Sequence, residues 1–117
     1  MLDRPPSDDT VEVHYGDDAA VLMFPTEVDI SNADRIRSRC LRLLNEGVCR
    51  VVLDLTRCEF CDSTGVNVIF RCHIRARAAG VDLSVRLPPT GLVRRICHVT
   101  GVIRVVPVDG DEGARRL

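Results

Sequence analysis

Val11, Val13 and Tyr15 alternate with polar neighbours, Gly16-Asp17-Asp18 supplies turn chemistry, and an apolar run follows from Ala19 to Phe24. Alternation at period two on either side of a Gly/Asp turn predicts an opening β-hairpin. From Asn32 or Ala33 the period lengthens, so that Ile36, Cys40, Leu43 and Leu44 share a face while Arg35, Arg39, Arg42 and Glu46 fall on others. That spacing predicts a first amphipathic helix, closed at Gly47. Val51-Val52-Leu53-Asp54-Leu55 is short, β-branched and almost unbroken in apolarity, the mark of a central strand covered on both faces. A loop from Thr56 to Asp62 leads to a second helix over Ser63 to Ala79, with Val66, Ile69, Cys72, His73 and Ala76 near one stripe and Gly80 at its end. Val81 to Leu87 reads as another strand, broken by Pro88-Pro89-Thr90. A third helix, ended by Gly101, turns Leu92, Ile96 and Val99 inward and Arg94, Arg95 and His98 outward. Val102 to Val108 reads as the last strand, and Asp109 to Arg116 as a short helix or a frayed end.

The predicted order is therefore β-β-α-β-α-β-α-β, followed by the segment read as a closing helix or a frayed end. Right-handed crossovers between helix-separated strands give an α/β domain with a mixed, mainly parallel sheet, an antiparallel edge and helices packed on it. Residues 1–9, with Pro5, Pro6, Ser7, Asp8 and Asp9, have little to bury and read as a mobile leader; 10–117 reads as one domain. Internal repeats and linkers are absent from the sequence.

Composition narrows the classes. The 117 residues are 45% hydrophobic and 28% charged, a globular balance, and 16 positive side chains nearly cancel 17 negative ones. Such a balance gives no summed field toward nucleic acid or an anionic membrane. No apolar stretch approaches the roughly 20 residues that span a bilayer, and the N-terminus lacks a signal pattern. The chain is expected in the cytoplasm, where Cys40, Cys49, Cys58, Cys61, Cys72 and Cys97 stay reduced and mostly serve as small buried apolar residues.

Chemistry concentrates at Asp62-Ser63-Thr64-Gly65, where a central strand's loop meets a helix N-terminus and backbone N–H groups point outward unpaired. The plain reading is capping: Asp, Ser and Thr suit N-caps, and Gly65 permits close packing. The surrounding sequence adds to it. Cys61-Asp62-Ser63-Thr64-Gly65-Val66 after the strand Val51 to Leu55, Glu27-Val28-Asp29 after the second strand, and Val93-Arg94-Arg95-Ile96 running into Thr100-Gly101-Val102 occur in that order. Over nearly the whole ordered chain the sequence resembles the anti-sigma factor antagonist family, the STAS domain, also found in the cytoplasmic tails of sulfate transporters. Two positions depart from the family pattern: Thr26 stands where many relatives have Gly, and Asn67 where a second Gly often follows the signature.

The resemblance implies a STAS-type fold and a protein-interaction switch rather than an enzyme, with no cofactor or metal. It implies that Ser63, with Thr64 as the neighbouring alternative, is phosphorylated by an anti-sigma factor that is also an ATP-dependent serine kinase. The unphosphorylated chain would bind that anti-sigma factor and free its sigma factor, and a serine phosphatase would reset the switch. Asp29, Asp62, Ser63, Thr64, Gly65 and Asn67 make up the implied switch surface. Asp62 and Asp29 would flank the hydroxyl, although Asp62 also suits a helix cap and Asp29 suits a cap of the first helix with Ser31 or Asn32.

Other readings are weaker. Cys58-Glu59-Phe60-Cys61 has the CxxC spacing of a redox or metal pair, but Ser63, not a cysteine, opens the helix, and a second closely spaced ligand pair is missing. Cys72 and His73 sit on a stripe expected to face the core. His73 and His98 have no catalytic companion in the sequence, Cys61 replaces the first Gly of a serine-hydrolase elbow, and no phosphate-cradling glycine loop is present. Thr64 separates Ser63 from Gly65, which breaks the aspartic-protease triplet. Arg71, Arg75, Arg94 and Arg95 form either a docking surface or a solvated face. A module of the same fold, serving unphosphorylated in a signalling or transport assembly, is the alternative to the switch.

Overall fold

The computed structural model describes residues 11–109, so the leader at 1–9 and the segment after Asp109 lie outside the described residues. The hairpin forms as the alternation requires: β1 (Glu12–Tyr15) and β2 (Ala19–Met23) pair antiparallel, Val13 opposite Leu22, across the Gly16 to Asp18 turn. Then β3 (Glu27–Val28) leads to α1 (Ala33–Leu44), β4 (Arg50–Asp54), β5 (Phe60–Cys61), α2 (Ser63–Ala79), β6 (Asp82–Arg86), α3 (Leu92–Val99) and α4 (Val102–Val105). The main sheet has the order β1-β2-β4-β6, with β2-β4 and β4-β6 parallel, so β4 is interior and the single antiparallel pair is at an edge.

Helix α1 buries Ile36, Cys40, Leu43 and Leu44 as its spacing dictates, and α2 buries Val66, Val68, Ile69, Cys72 and Ala76. The two helices pack against one another, and their apolar faces meet Leu22, Val51, Leu53 and Val85 of the sheet in one core. On β4's other face Val52 is buried but stands outside that core, in register with half-exposed Val21 and Ser84. The two faces of β4 are therefore covered unequally. Gly80 ends α2 in the left-handed region at φ 72°, its N–H bonded to the Arg77 carbonyl, as a glycine C-cap does.

Four expectations need correction. The run Val102 to Val108 is not a strand: left-handed Gly101 (φ 89°) opens the helical turn α4, and pairing with β6 is reduced to one parallel bridge, Val85 to Val108. Helix α3 turns Val93 and Cys97 inward, leaving Leu92 and Val99 about half or more exposed and Ile96 only partly covered. The loop from Thr56 to Asp62 contains β5, which pairs in parallel with β3 in a separate two-stranded ladder, Glu27 opposite Phe60 and Val28 opposite Cys61. His73 lies at the margin of α2's stripe, half-buried, with its Nδ1 enclosed and unpaired among the described residues.

Candidate functional site

The short ladder sets the site. The Thr26 carbonyl accepts from the N–H groups of Glu59 (2.7 Å) and Phe60 (3.1 Å), and the Val28 carbonyl accepts from Asp62 N–H (3.4 Å). This draws the loop after β4 alongside the loop after β2, so that Asp29 and Asp62 leave adjacent strand ends. The close approach depends on Gly65: a Cβ there would fall 2.4 Å from Cys61 Sγ and 2.9 Å from Val28 Cγ1. The glycine of the chemistry-bearing stretch is thus a packing requirement, not a turn requirement.

Asp62 is the N-cap of α2, in extended conformation, and its Oδ1 accepts from Thr64 N–H (2.9 Å) and Gly65 N–H (3.3 Å). Its carbonyl accepts from Val66 N–H at 3.1 Å. Capping therefore fixes the first turn and leaves Ser63 at the first helical position, exposed, its hydroxyl unpaired among the described residues. Thr64 is half-buried and turns toward α1, where it lines a groove of about 240 Å³ with Asp34, Arg37, Asn67 and Arg71. Asn67 is exposed on the helix, so the residue in place of a second glycine crowds nothing. Thr26 likewise has no positive φ to demand glycine.

Asp29 does not cap α1 with its side chain. Its Oδ1 accepts from Ser31 N–H (2.9 Å) and Ser31 Oγ–H (2.5 Å), which holds its carboxyl below the usual range, and its backbone carbonyl accepts from Ala33 N–H. The capping position falls to Asn32, whose side chain instead braces the loop: Oδ1 accepts from Asp29 N–H (3.1 Å) and Nδ2 donates to the Glu27 carbonyl (2.8 Å). Asn32 and the apolar neighbours Ile30, 83% exposed, and Phe60, 42% exposed, are the site features that the residue pattern alone did not single out. Two-residue strands have no period to read, and an exposed Ile is informative only once the ladder sets its loop against the strand that leads into Ser63.

The cysteine pair is differently placed. Cys58 and Cys61 are both buried, the Cys58 thiol donates to the Phe60 carbonyl, and burial pushes Cys61 up to about 12. Cys97, buried nearby, is pushed up to about 11. Thiols held protonated in this way are poor nucleophiles at neutral pH. Among the described residues, no group of three or more His, Cys, Asp or Glu side chains is arranged to hold a metal ion, and no helix is long and apolar enough to cross a membrane.

This cross-strand arrangement, with a strand-loop-helix junction presenting Ser63, coincides with a family match: the model of the STAS domain covers residues 10–114. The chain belongs to the STAS domain family. Solved structures agree on the fold. An anti-sigma factor antagonist from Mycobacterium paratuberculosis superposes with a TM-score of 0.76 at 22% identity, covering 92% of this chain and 89% of that one. The anti-sigma factor antagonist SpoIIAA in its unphosphorylated form gives 0.72 at 18% identity, covering 89% and 91%. The Bacillus cell fate determinant SpoIIAA in its phosphorylated form gives 0.66 at 17% identity, covering 91% and 96%. STAS membership accounts for the mixed, mainly parallel sheet with helices packed on it.

Proposed function

We propose that this STAS domain is an anti-sigma factor antagonist: it binds an anti-sigma factor that is also an ATP-dependent serine kinase, releases the sigma factor, and is switched off by phosphorylation at Ser63. The observation that carries the reading is the presentation of Ser63, an exposed hydroxyl at the first position of a helix whose turn is already fixed by Asp62. The domain supplies no catalysis. The kinase would transfer the γ-phosphoryl group of ATP to Ser63 Oγ, the hydroxyl proton leaving and ADP departing, and a serine phosphatase would hydrolyse the ester.

A phosphate at Ser63 brings about −1.5 to −2 charge units and three acceptor oxygens. The helix N-terminus favours such an anion by roughly 0.3–1 kcal/mol, and the neighbouring Asp62 carboxylate opposes it. The fold is left standing. The added charge acts on the partner, whose packed surface would have to desolvate an anion and meet it with acidic groups. Ile30 and Phe60, apolar and exposed on the two segments that the β3–β5 ladder joins, suit the rest of such an interface. Asp29, Asp62, Thr64, Gly65 and Asn67 complete the switch surface, the first two by fixing the loops and Gly65 by letting them close.

The test is to incubate the purified protein with its candidate anti-sigma kinase and ATP, measure intact mass and map the site, with Ser63→Ala alongside. One phosphate, lost in the alanine variant, is the expected result. An active kinase that binds tightly and transfers nothing would make the domain a docking module and Ser63 a helix-opening residue only.

A further inference from the structure

Helices α1 and α2 leave three adjoining depressions between them, joined through shared Arg37 and Arg71 and then Leu41 and Arg75, which together form a groove. It begins where Thr64 and Asn67 face Arg37, passes between Leu41 and Ile74, and ends at Asn45 and Ala79. Three guanidinium groups line it, Arg37 from α1 and Arg71 and Arg75 from α2, against one carboxylate, Asp34, which is 92% exposed and lies 3.4 Å from Arg37. Arg71 and Arg75 are exposed and have no ion-pair partner among the described residues. The chain as a whole carries a formal charge of −1, so this concentration of positive charge is local.

The groove's dimensions and chemistry select an occupant. From Thr64 to Ala79 it runs about 22 Å along α2, the length of a helix of about 15 residues. Arg71 and Arg75 stand one turn apart, a spacing that matches carboxylates at i and i+4 of a facing helix. Between them Ile74, 62% exposed, and half-buried Leu41 offer apolar contact surface on opposite walls. No aromatic side chain lines the groove to stack on a base.

We infer that the α1–α2 groove docks an acidic amphipathic helix of a partner protein, with carboxylates on Arg37, Arg71 and Arg75 and aliphatic side chains on Leu41 and Ile74. Helix-in-groove recognition of this kind uses apolar anchors for affinity and charge for register. The groove shares Thr64 and Asn67 with the proposed switch surface at one end, but its three guanidinium groups and apolar anchors do not include Ser63, so the inference can be tested on the unmodified protein.

The experiment titrates the full-length, ¹⁵N-labelled protein with a fluorescent helical peptide of that length carrying Glu at i and i+4 and Leu at i+3 and i+7, followed by anisotropy and amide shifts. Expected are shifts clustered on Arg37, Leu41, Arg71, Ile74 and Arg75, and weakening by about tenfold or more in R71Q/R75Q. A Gln-for-Glu peptide should weaken similarly, Arg50→Gln should not, and added salt should lower affinity. Matching thermal melts keep a folding defect in R71Q/R75Q from passing as lost binding. Absence of binding, shifts centred on the separate basic groove of Arg94, Arg95 and His98, an unchanged R71Q/R75Q affinity, or tighter binding of a single-stranded oligonucleotide than of the peptide would each overturn the inference.

Discussion

Gly65, Asp62 and the buried thiols set measurable limits at the residue scale. A methyl group at position 65 has to displace Cys61 Sγ and Val28, both fully buried, so Gly65→Ala should cost roughly 1–3 kcal/mol in urea denaturation. Adding Cys61→Ala should recover part of that loss by vacating the nearer contact. Asp62→Ala removes the acceptor for two backbone N–H groups and should cost about 1 kcal/mol by the same measurement. The thiols make the pH dependence explicit. Cys61 and Cys97 have an ordinary value of 9.0 and are raised by burial to about 12 and about 11. The unfolded chain therefore releases these protons first, so their contribution is whole below pH 9.0 and falls away as pH climbs toward 11 and 12. Urea midpoints should decline over that alkaline window, and less so in Cys61→Ala. Under native conditions a thiol reagent should label exposed Cys49 at once and the five buried cysteines only after unfolding.

At the scale of elements, one ion network ties the carboxyl ends of two strands to the last described segment. Asp54, 4% exposed at the end of β4, accepts from Thr56 N–H and Oγ–H and from Arg86 at 3.3 Å, while Arg86 also donates to Asp109 at 2.6 Å. Arg86→Met should cost on the order of 2–3 kcal/mol, because it strands the Asp54 carboxylate, and Asp54→Asn in addition should restore some of it. Much of this framework was legible in the sequence: α1, α2 and the hairpin carry a long enough period to fix their type, and the β-branched runs of β4 and β6 mark them as strands, although the unbroken apolarity of β4 hid which of its faces meets the core. Helix α3 was not, since Leu92, Val93, Ile96, Cys97 and Val99 put apolar side chains around most of an eight-residue helix, and packing alone selects Val93 and Cys97. Val102 to Val108 misled through its β-branched composition, which tertiary context overrode after Gly101. The Asp-Ser-Thr-Gly turn could be located from residues alone, whereas its pairing with Asp29 required a two-residue ladder too short to leave a pattern.

For the molecule as a whole, a switch at Ser63 should leave stability nearly untouched: stoichiometric phosphorylation should move the unfolding free energy by less than about 1 kcal/mol, read from denaturant melts of the two forms. The main sheet and the small ladder also differ in how firmly they are closed. Strands β2, β4 and β6 are bonded along five-residue registers over the core, whereas β3 and β5 share only two residue pairs. Free energies of local opening follow that difference. Deuterium should enter the Phe60 and Asp62 amides well before those of Val52 and Leu53, marking a subglobal unit that peels away while the rest stays protected. The segment leading into Ser63 is thus a hinged strip: few backbone bonds hold it, while the buried Cys61 side chain keeps it anchored to the core as those bonds open.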